Sequence, residues 1–334
     1  MGRIREISGV ASFYTAAFIG AGFASGEEIQ AFFVRYGLGG LVGIPLSIAV
    51  LVLGSGLVLE QCKRLGVGSY SEFFHREGGR LGRVYDTVYS VFALTGLGVM
   101  LAGCGALARS LVGVPGGALA TAVAVGLTIR AGPGQILRLS SILTPVMATV
   151  LVVPTLGFIV KEGITLPTWG SHLGIPAAVL YASYNLSFSM AVWASFHDRL
   201  KTRGELWAAA LLGNGPVGIL LFVLSLGLWA VPPGGGQSEI PILVIARAYG
   251  PLVTGSFAAI LHLAMFSTAL AHGYALTLRV KLQTTLETGS ATALVLGAGL
   301  ALSAFGFSAL VRLGYPIVGL MGMLIFGTLL GKGR

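Results

Sequence analysis

Three glycines and two carboxylates stand inside an apolar run at residues 18–28, Phe-Ile-Gly-Ala-Gly-Phe-Ala-Ser-Gly-Glu-Glu. Gly20, Gly22 and Gly26 each lower helix stability by roughly 1 kcal/mol relative to alanine, and a turn unwound there frees backbone N–H and C=O groups that lipid cannot satisfy. The spacing predicts a helix broken at this point, with something polar in the gap. In membrane proteins that occupant is a transported solute or its coupling ion, held by freed backbone groups and half-helix dipoles. The carboxylates add to the argument, because an ionised acid deep in a span costs ~2.5–3.5 kcal/mol unless it is paired or hydrated. Glu27 and Glu28 are rotated by ~100° from one another on a helix, so one can face a solute path while the other faces a partner helix or the outer vestibule.

The elements that must position these groups are membrane spans. The 334-residue chain is 55% apolar and only 10% charged, carries 51 glycines and has a mean hydropathy of +0.87, whereas soluble domains carry about 25% charged residues. Apolar stretches long enough to cross a bilayer fall at about 8–35, 38–62, 84–111, 114–130, 136–160, 174–197, 204–231, 251–278, 289–308 and 313–331. Ten spans place both termini on one side. Sixteen of the 21 lysines and arginines then lie on that side, and Arg35, Arg109, Lys161, Arg247 and Arg312 lie opposite, which by the positive-inside rule makes both termini cytoplasmic. The net charge of +9 is thus topological, and no single basic face for nucleic acid emerges. Cys62 and Cys104 sit in apolar segments and suggest packing, with no disulfide framework. No phosphate-binding glycine motif indicates a nucleotide.

Five spans followed by five imply two halves, residues 1–165 and 166–334, forming together a single membrane domain. An odd number of spans per half inverts the second copy, the logic of many secondary transporters. If span one is broken, span six should be interrupted as well. Residues 181–189, Tyr-Ala-Ser-Tyr-Asn-Leu-Ser-Phe-Ser, are the most polar run within any span and lie about half a chain from the first break.

The Gly-Ala-Gly-Phe-Ala-Ser-Gly-Glu-Glu run resembles the first-helix signature of bacterial YkvI-type membrane proteins, and more distantly the glycine-rich break of amino acid–polyamine–organocation permeases. Where that motif often reads Gly-Gln-Glu, this chain has Gly26-Glu27-Glu28. The resemblance implies an all-α integral membrane protein of ten transmembrane helices, with the LeuT-like five-plus-five inverted repeat and broken first and sixth helices. Carried onto this chain, it assigns the backbone amides of Gly20, Ala21 and Gly22 to an anionic group such as a carboxylate, in keeping with anion binding at helix starts. Glu28 joins them in the substrate site. On the sixth span, Ser183, Asn185, Ser187 and Ser189 would offer oxygen to an ammonium group, and Tyr184 and Phe188 would form walls; the plainer use of such residues is to tie helices together. On the eighth span, Ala264-Met265-Phe266-Ser267-Thr268 resembles a sodium site, implying Na⁺ held by Ser267, Thr268 and Ala264 with carbonyls of Ala16 and Ile19. Two hydroxyls and three carbonyls suit a hard cation. The fifth span lacks the internal lysine of proton-coupled relatives.

Other residues carry lesser expectations. Asn214 in Gly213-Asn214-Gly215-Pro216 marks a kink that caps freed carbonyls or reaches an ion. His262 and His272 lack the spacing of a metal pair, and buried hydrogen bonding is their plainer role. Asp86 and Tyr89 suggest an inner gate with Arg5. The loop at 232–250 resembles an outer lid, and 63–83 suggests a short interfacial helix. The sequence reads as a cell-membrane secondary transporter of a small amino acid or amine-bearing solute, working by alternating access with Na⁺ symport. Proton coupling, or a non-transporting receptor of germinant-receptor type, are the alternatives. No span carries paired catalytic aspartates, a His-Glu-x-x-His motif or a Ser–His dyad, so an enzyme is not indicated.

Overall fold

The computed structural model describes residues 2–113, 115–164, 173–231 and 241–305. Among these residues the chain is helical, without strands. The first span is divided into α1 (Gly2–Phe18), a single turn α2 (Ala21–Ser25) and α3 (Glu27–Phe32). There follow α4 (Leu38–Leu65), a short amphipathic α5 (Tyr70–Glu77), α6 (Gly82–Val112), α7 (Gly117–Arg130) and α8 (Pro133–Glu162). The second half holds α9 (Gly174–Phe196), α10 (Arg203–Trp229), the short α11 (Pro241–Arg247), α12 (Pro251–Gln283) and α13 (Thr288–Ser303).

Five of these helices are long and apolar enough to cross a membrane alone, and six if α9 is taken as one bent span; α7 and α13 are apolar but shorter. The helices overlap nine of the ten expected spans. The tenth, at 313–331, lies outside the described residues, as do 232–240 of the expected lid loop. Apolar side chains such as Val160 (86% exposed), Leu252 (84%) and Leu53 (56%) face outward, as a lipid-facing surface requires.

Two groups of helices pack within themselves. One is α1, α4, α9 and α10; the other is α6, α7, α12 and α13. Within the first, α4 and α9 approach through small residues: a Cβ on Gly174 would lie 2.5 Å from the Gly39 carbonyl carbon, and one on Gly43 2.8 Å from the Ala178 Cβ. Such contacts are how membrane helices gain packing without a hydrophobic driving force. Helices α1 and α12 meet where the two groups join.

Polar clasps close the end of the bundle that carries the N-terminus. Arg3 donates through Nε to Glu205 Oε1 (2.9 Å) and also pairs with Oε2. Glu205 at the same time caps α10, accepting from the Lys201 amide (2.6 Å), while its own amide donates to Thr202 Oγ1. Asp86, 2% exposed, takes a two-pronged bond from Arg279, Nε to Oδ1 at 3.0 Å and Nη2 to Oδ2 at 2.9 Å. Gln283 and His75 approach the same carboxylate. The inner partner of Asp86 is therefore Arg279 on α12 and not Arg5, which is exposed on α1. Charge patterning places both arginines on the same side but does not choose between them.

Candidate functional site

The break in the first span follows from its glycines. The last regular bond of α1 runs from the Ile19 amide to the Thr15 carbonyl (3.0 Å), and Gly20 then turns extended at ψ −174°. The chain makes one turn and breaks again at Gly26, whose φ of +81° is left-handed and costs a residue with a Cβ roughly 1–2 kcal/mol. A Cβ there would also press on Ile242 of α11. Gly22 has a different reason for lacking a side chain: a methyl group at its Cα would overlap the Glu28 carboxylate, which folds back over it.

Beside this break, α12 presents its hydroxyl pair. Ser267 Oγ donates to the Ala16 carbonyl (2.6 Å) and lies 2.9 Å from the Ala264 carbonyl. Thr268 Oγ1 reaches the Ala17 carbonyl at 2.9 Å and that of Ala264 at 3.0 Å. Both hydroxyl residues are buried. Four of the five residues expected to surround a cation, Ala16, Ala264, Ser267 and Thr268, thus meet in one place. The carbonyl that Thr268 reaches on α1 is that of Ala17; Ile19, buried two residues further on, is not among these contacts. Gly20 lies alongside, where a methyl group on its Cα would stand 3.4 Å from Thr268 Oγ1. Ala21 is buried in α2.

A very small cavity of about 20 Å³, room for roughly one water molecule, lies next to the hydroxyl pair. It is lined by Tyr14, Ala17 and Phe18 of α1, Asn185 and Ser189 of α9, and Thr268, Ala271 and His272 of α12. Asn185 donates to the Tyr181 carbonyl of its own helix (3.0 Å), and Ser187 and Ser189 likewise bond back to α9. Ser183 does not join this cavity. It is half-buried and bonds to the Val179 carbonyl at 2.8 Å. Tyr184 does not line this cavity either; its hydroxyl hydrogen-bonds the Glu28 carboxylate. The side chain of Phe188 lies outside the described residues.

Helix α9 runs from Gly174 to Phe196 but bends by 42° between its segments Gly174–Ser187 and Ser189–Arg199. The cause is Tyr89 of α6. Its hydroxyl donates to the Ser187 carbonyl (2.9 Å) and accepts from the Ala191 amide (3.1 Å). Those two backbone groups would bond to each other in a straight helix, so Tyr89 occupies the gap in the ladder, a recognised origin of kinks. Its ring is held by Tyr70 and Phe74 of α5, with centroids at 4.5 and 5.5 Å. The expected interruption of the sixth span is realised as this bend.

Below the cavity lies a buried polar network. Tyr14 Oη donates to Asn214 Oδ1 (2.5 Å), Asn214 Nδ2 donates to Ser55 Oγ (3.2 Å) and to the Ala210 carbonyl, and Trp193 Nε1 donates to Ser55 Oγ (3.1 Å). The Tyr14 and Trp193 rings stack at 4.2 Å. Asn214 was legible as a polar residue at a kink; Tyr14, Ser55 and Trp193 had no such signal, because a tyrosine or tryptophan in a span reads as apolar filling. Among the described residues no cluster of His, Cys, Asp or Glu is arranged to hold a metal ion.

No protein-family model matches the chain. It is 26% identical over 340 residues to the uncharacterised membrane protein YkvI of Bacillus subtilis (strain 168), covering 97% of this chain and 95% of that one. It is also 26% identical over 320 residues to YyaD of the same strain, with 93% and 92% covered. Among solved structures, MhsT in complex with L-phenylalanine superposes with a TM-score of 0.65 at 15% identity, over 95% of this chain and 88% of that one. A Na⁺-coupled sialic acid symporter gives 0.65 at 14% identity, over 97% and 78%. The manganese transporter of Eremococcus coleocola gives 0.52 at 14% identity, over 98% and 84%. With its glycine-broken first span and bent sixth, the chain is a multi-pass membrane protein with a LeuT-like fold, similar over nearly its whole length to YkvI.

Proposed function

We propose that the protein is a secondary active transporter that moves a small amino acid or amine-bearing solute by alternating access, in symport with Na⁺. The observation that carries this reading is the meeting of Ser267 and Thr268 with the carbonyls of Ala16, Ala17 and Ala264 at the end of α1, next to a cavity bounded by α1, α9 and α12. Those oxygens form a donor set suited to a hard monovalent cation, with no carboxylate needed. The similarity to a Na⁺-coupled symporter and to an amino-acid-bound protein supports the same reading at the level of fold. A cation there ties α1 to α12, and therefore the helix group of α1, α4, α9 and α10 to that of α6, α7, α12 and α13. Binding of Na⁺ stiffens the broken span, and cargo binding then licenses closure. The halves 1–165 and 166–334 act as inverted repeats, and both termini face the cytoplasm. One Na⁺ moving down ~100 mV supplies ~2.3 kcal/mol, a roughly fifty-fold accumulation.

The test is thermal stabilisation of the purified protein by a panel of amino acids and amines in NaCl against matched potassium chloride, with Ser267→Ala beside the wild type, followed by counterflow in proteoliposomes. Stabilisation that needs Na⁺ and disappears in Ser267→Ala is the expected result. Stabilisation indifferent to both refutes sodium coupling at this place. Binding without counterflow refutes transport and favours a receptor.

A further inference from the structure

Glu28 is a carboxylate inside the first span with no cation beside it among the described residues. The groups that act on it are the Tyr184 hydroxyl and the neighbouring Glu27, and none of the ion pairs among the described residues includes it. Arg35, further along the chain, sits over its own neighbour Tyr36 at 5.3 Å from the ring centroid. A lone carboxylate at such a depth calls for a positive partner, and the described residues do not supply one.

What the fold supplies is aromatic. Phe32 lies 5.4 Å from Tyr181 and 5.9 Å from Tyr184, ring centre to ring centre, and the two tyrosines are 5.6 Å apart and nearly perpendicular. Phe18 lines the inner cavity and approaches Tyr181 at 6.2 Å, so it stands between that cavity and this cluster. Tyr181 is fully buried, and its hydroxyl makes no hydrogen bond among the described residues. It lies close enough to Glu28 to feel its charge. Among the described residues, the cavity beyond Phe18 has no lysine or arginine in its lining that could meet a cargo carboxylate.

We propose that Glu28, with Phe18, Phe32, Tyr181 and Tyr184, is the acceptor for an organic ammonium ion, so that the cargo is an amine or quaternary ammonium carrying no carboxylate of its own. The carboxylate supplies the counter-charge, and the ring faces supply cation–π attraction, which grows when water is excluded. The unpaired Tyr181 hydroxyl serves a polar substituent on the cargo. Gly22 is part of the arrangement, since its missing side chain lets the Glu28 carboxylate fold back beside the break. This inference rests on the transport reading for its direction of use, but the binding step stands apart from flux.

The experiment uses choline and ethanolamine as cationic probes and alanine and phenylalanine as zwitterionic ones. Binding is read by thermal stabilisation in sodium phosphate buffer, and flux by counterflow, for the wild type, Glu28→Gln and Phe32→Leu. Glu28→Gln keeps shape and hydrogen-bonding capacity and so isolates charge. The expected result is stabilisation of the wild type by at least one cationic probe, roughly tenfold weaker binding in Glu28→Gln and a smaller loss in Phe32→Leu, with the zwitterions weaker throughout. Cation binding unchanged in Glu28→Gln, zwitterions that bind better than both cations, or a wild type that responds to neither cation would each overturn the proposal. A wild type stabilised by acidification alone, in the absence of a cation response, assigns Glu28 to a proton and overturns it too. Counterflow of a zwitterion sinks the cation site and leaves transport standing, whereas cation binding without counterflow does the reverse.

Discussion

The first and sixth spans are interrupted in different ways. In the first, the interruption is written in the span itself: Gly20 is extended, Gly26 is left-handed, and a single turn lies between them. In the sixth, α9 has no glycine between Ile175 and Phe196, and its bend comes from the Tyr89 hydroxyl reaching across from α6 to separate Ser187 from Ala191. One break travels with its own helix, while the other exists only while a neighbouring helix holds it. The first is intrinsic and the second conditional, so the two interrupted spans are not equivalent mechanically.

Four substitutions bear on that contrast. Asp86→Ala has the largest expected effect, about 3–5 kcal/mol of stability, because it leaves Arg279 partly buried and uncompensated and frees the end of α6 that carries Tyr89. A melting curve reads the loss, and exchange at the first break should stay unchanged if the two interruptions are independent. Gly26→Val combines a left-handed φ with overlap against Ile242, and about 2–4 kcal/mol is expected, localised by hydrogen exchange to α2, α3 and α11. Tyr89→Phe removes both bonds to α9 and lets the Ser187 carbonyl and Ala191 amide pair directly; the cost is about 1 kcal/mol, with slower exchange at Ala191 and a straighter α9 in a solved structure of the variant. A bend that persists in Tyr89→Phe would show that α9, like α1, breaks by itself. Ser183→Ala should change melting by less than about 0.5 kcal/mol, since its hydroxyl serves only its own helix.

The first break was legible because glycine carries a conformational signal in its identity. The pairing of α12 with the end of α1 was legible only through the resemblance of residues 264–268 to a sodium site, since adjacent hydroxyls in an apolar helix serve equally well in packing. The polar run of α9 was visible but its internal assignment was not. Ser183 and Asn185 differ by two residues, and hence by about 200° around a helix; the sequence records both as polar and leaves the rotation to packing. Tyr89 is 98 residues away from Ser187, and an aromatic residue near a span end has many commonplace roles. Arg279 was hidden for a related reason: the number of basic residues on a face is a sequence property, but the choice among them is decided by how helices cross. The aromatic cluster at Glu28 draws on α1, α3 and α9, and only the fold assembles it.

Glu205 has a consequence for motion. The same carboxylate that receives Arg3 also accepts amides at the start of α10. Pulling α1 away therefore removes only one of its roles. The helix end stays capped and the exposed acid stays pre-aimed, so the joint reseals on the next approach without refolding either partner. A fastener whose fixed half keeps its shape when undone can open and close repeatedly without cost to the helix that carries it.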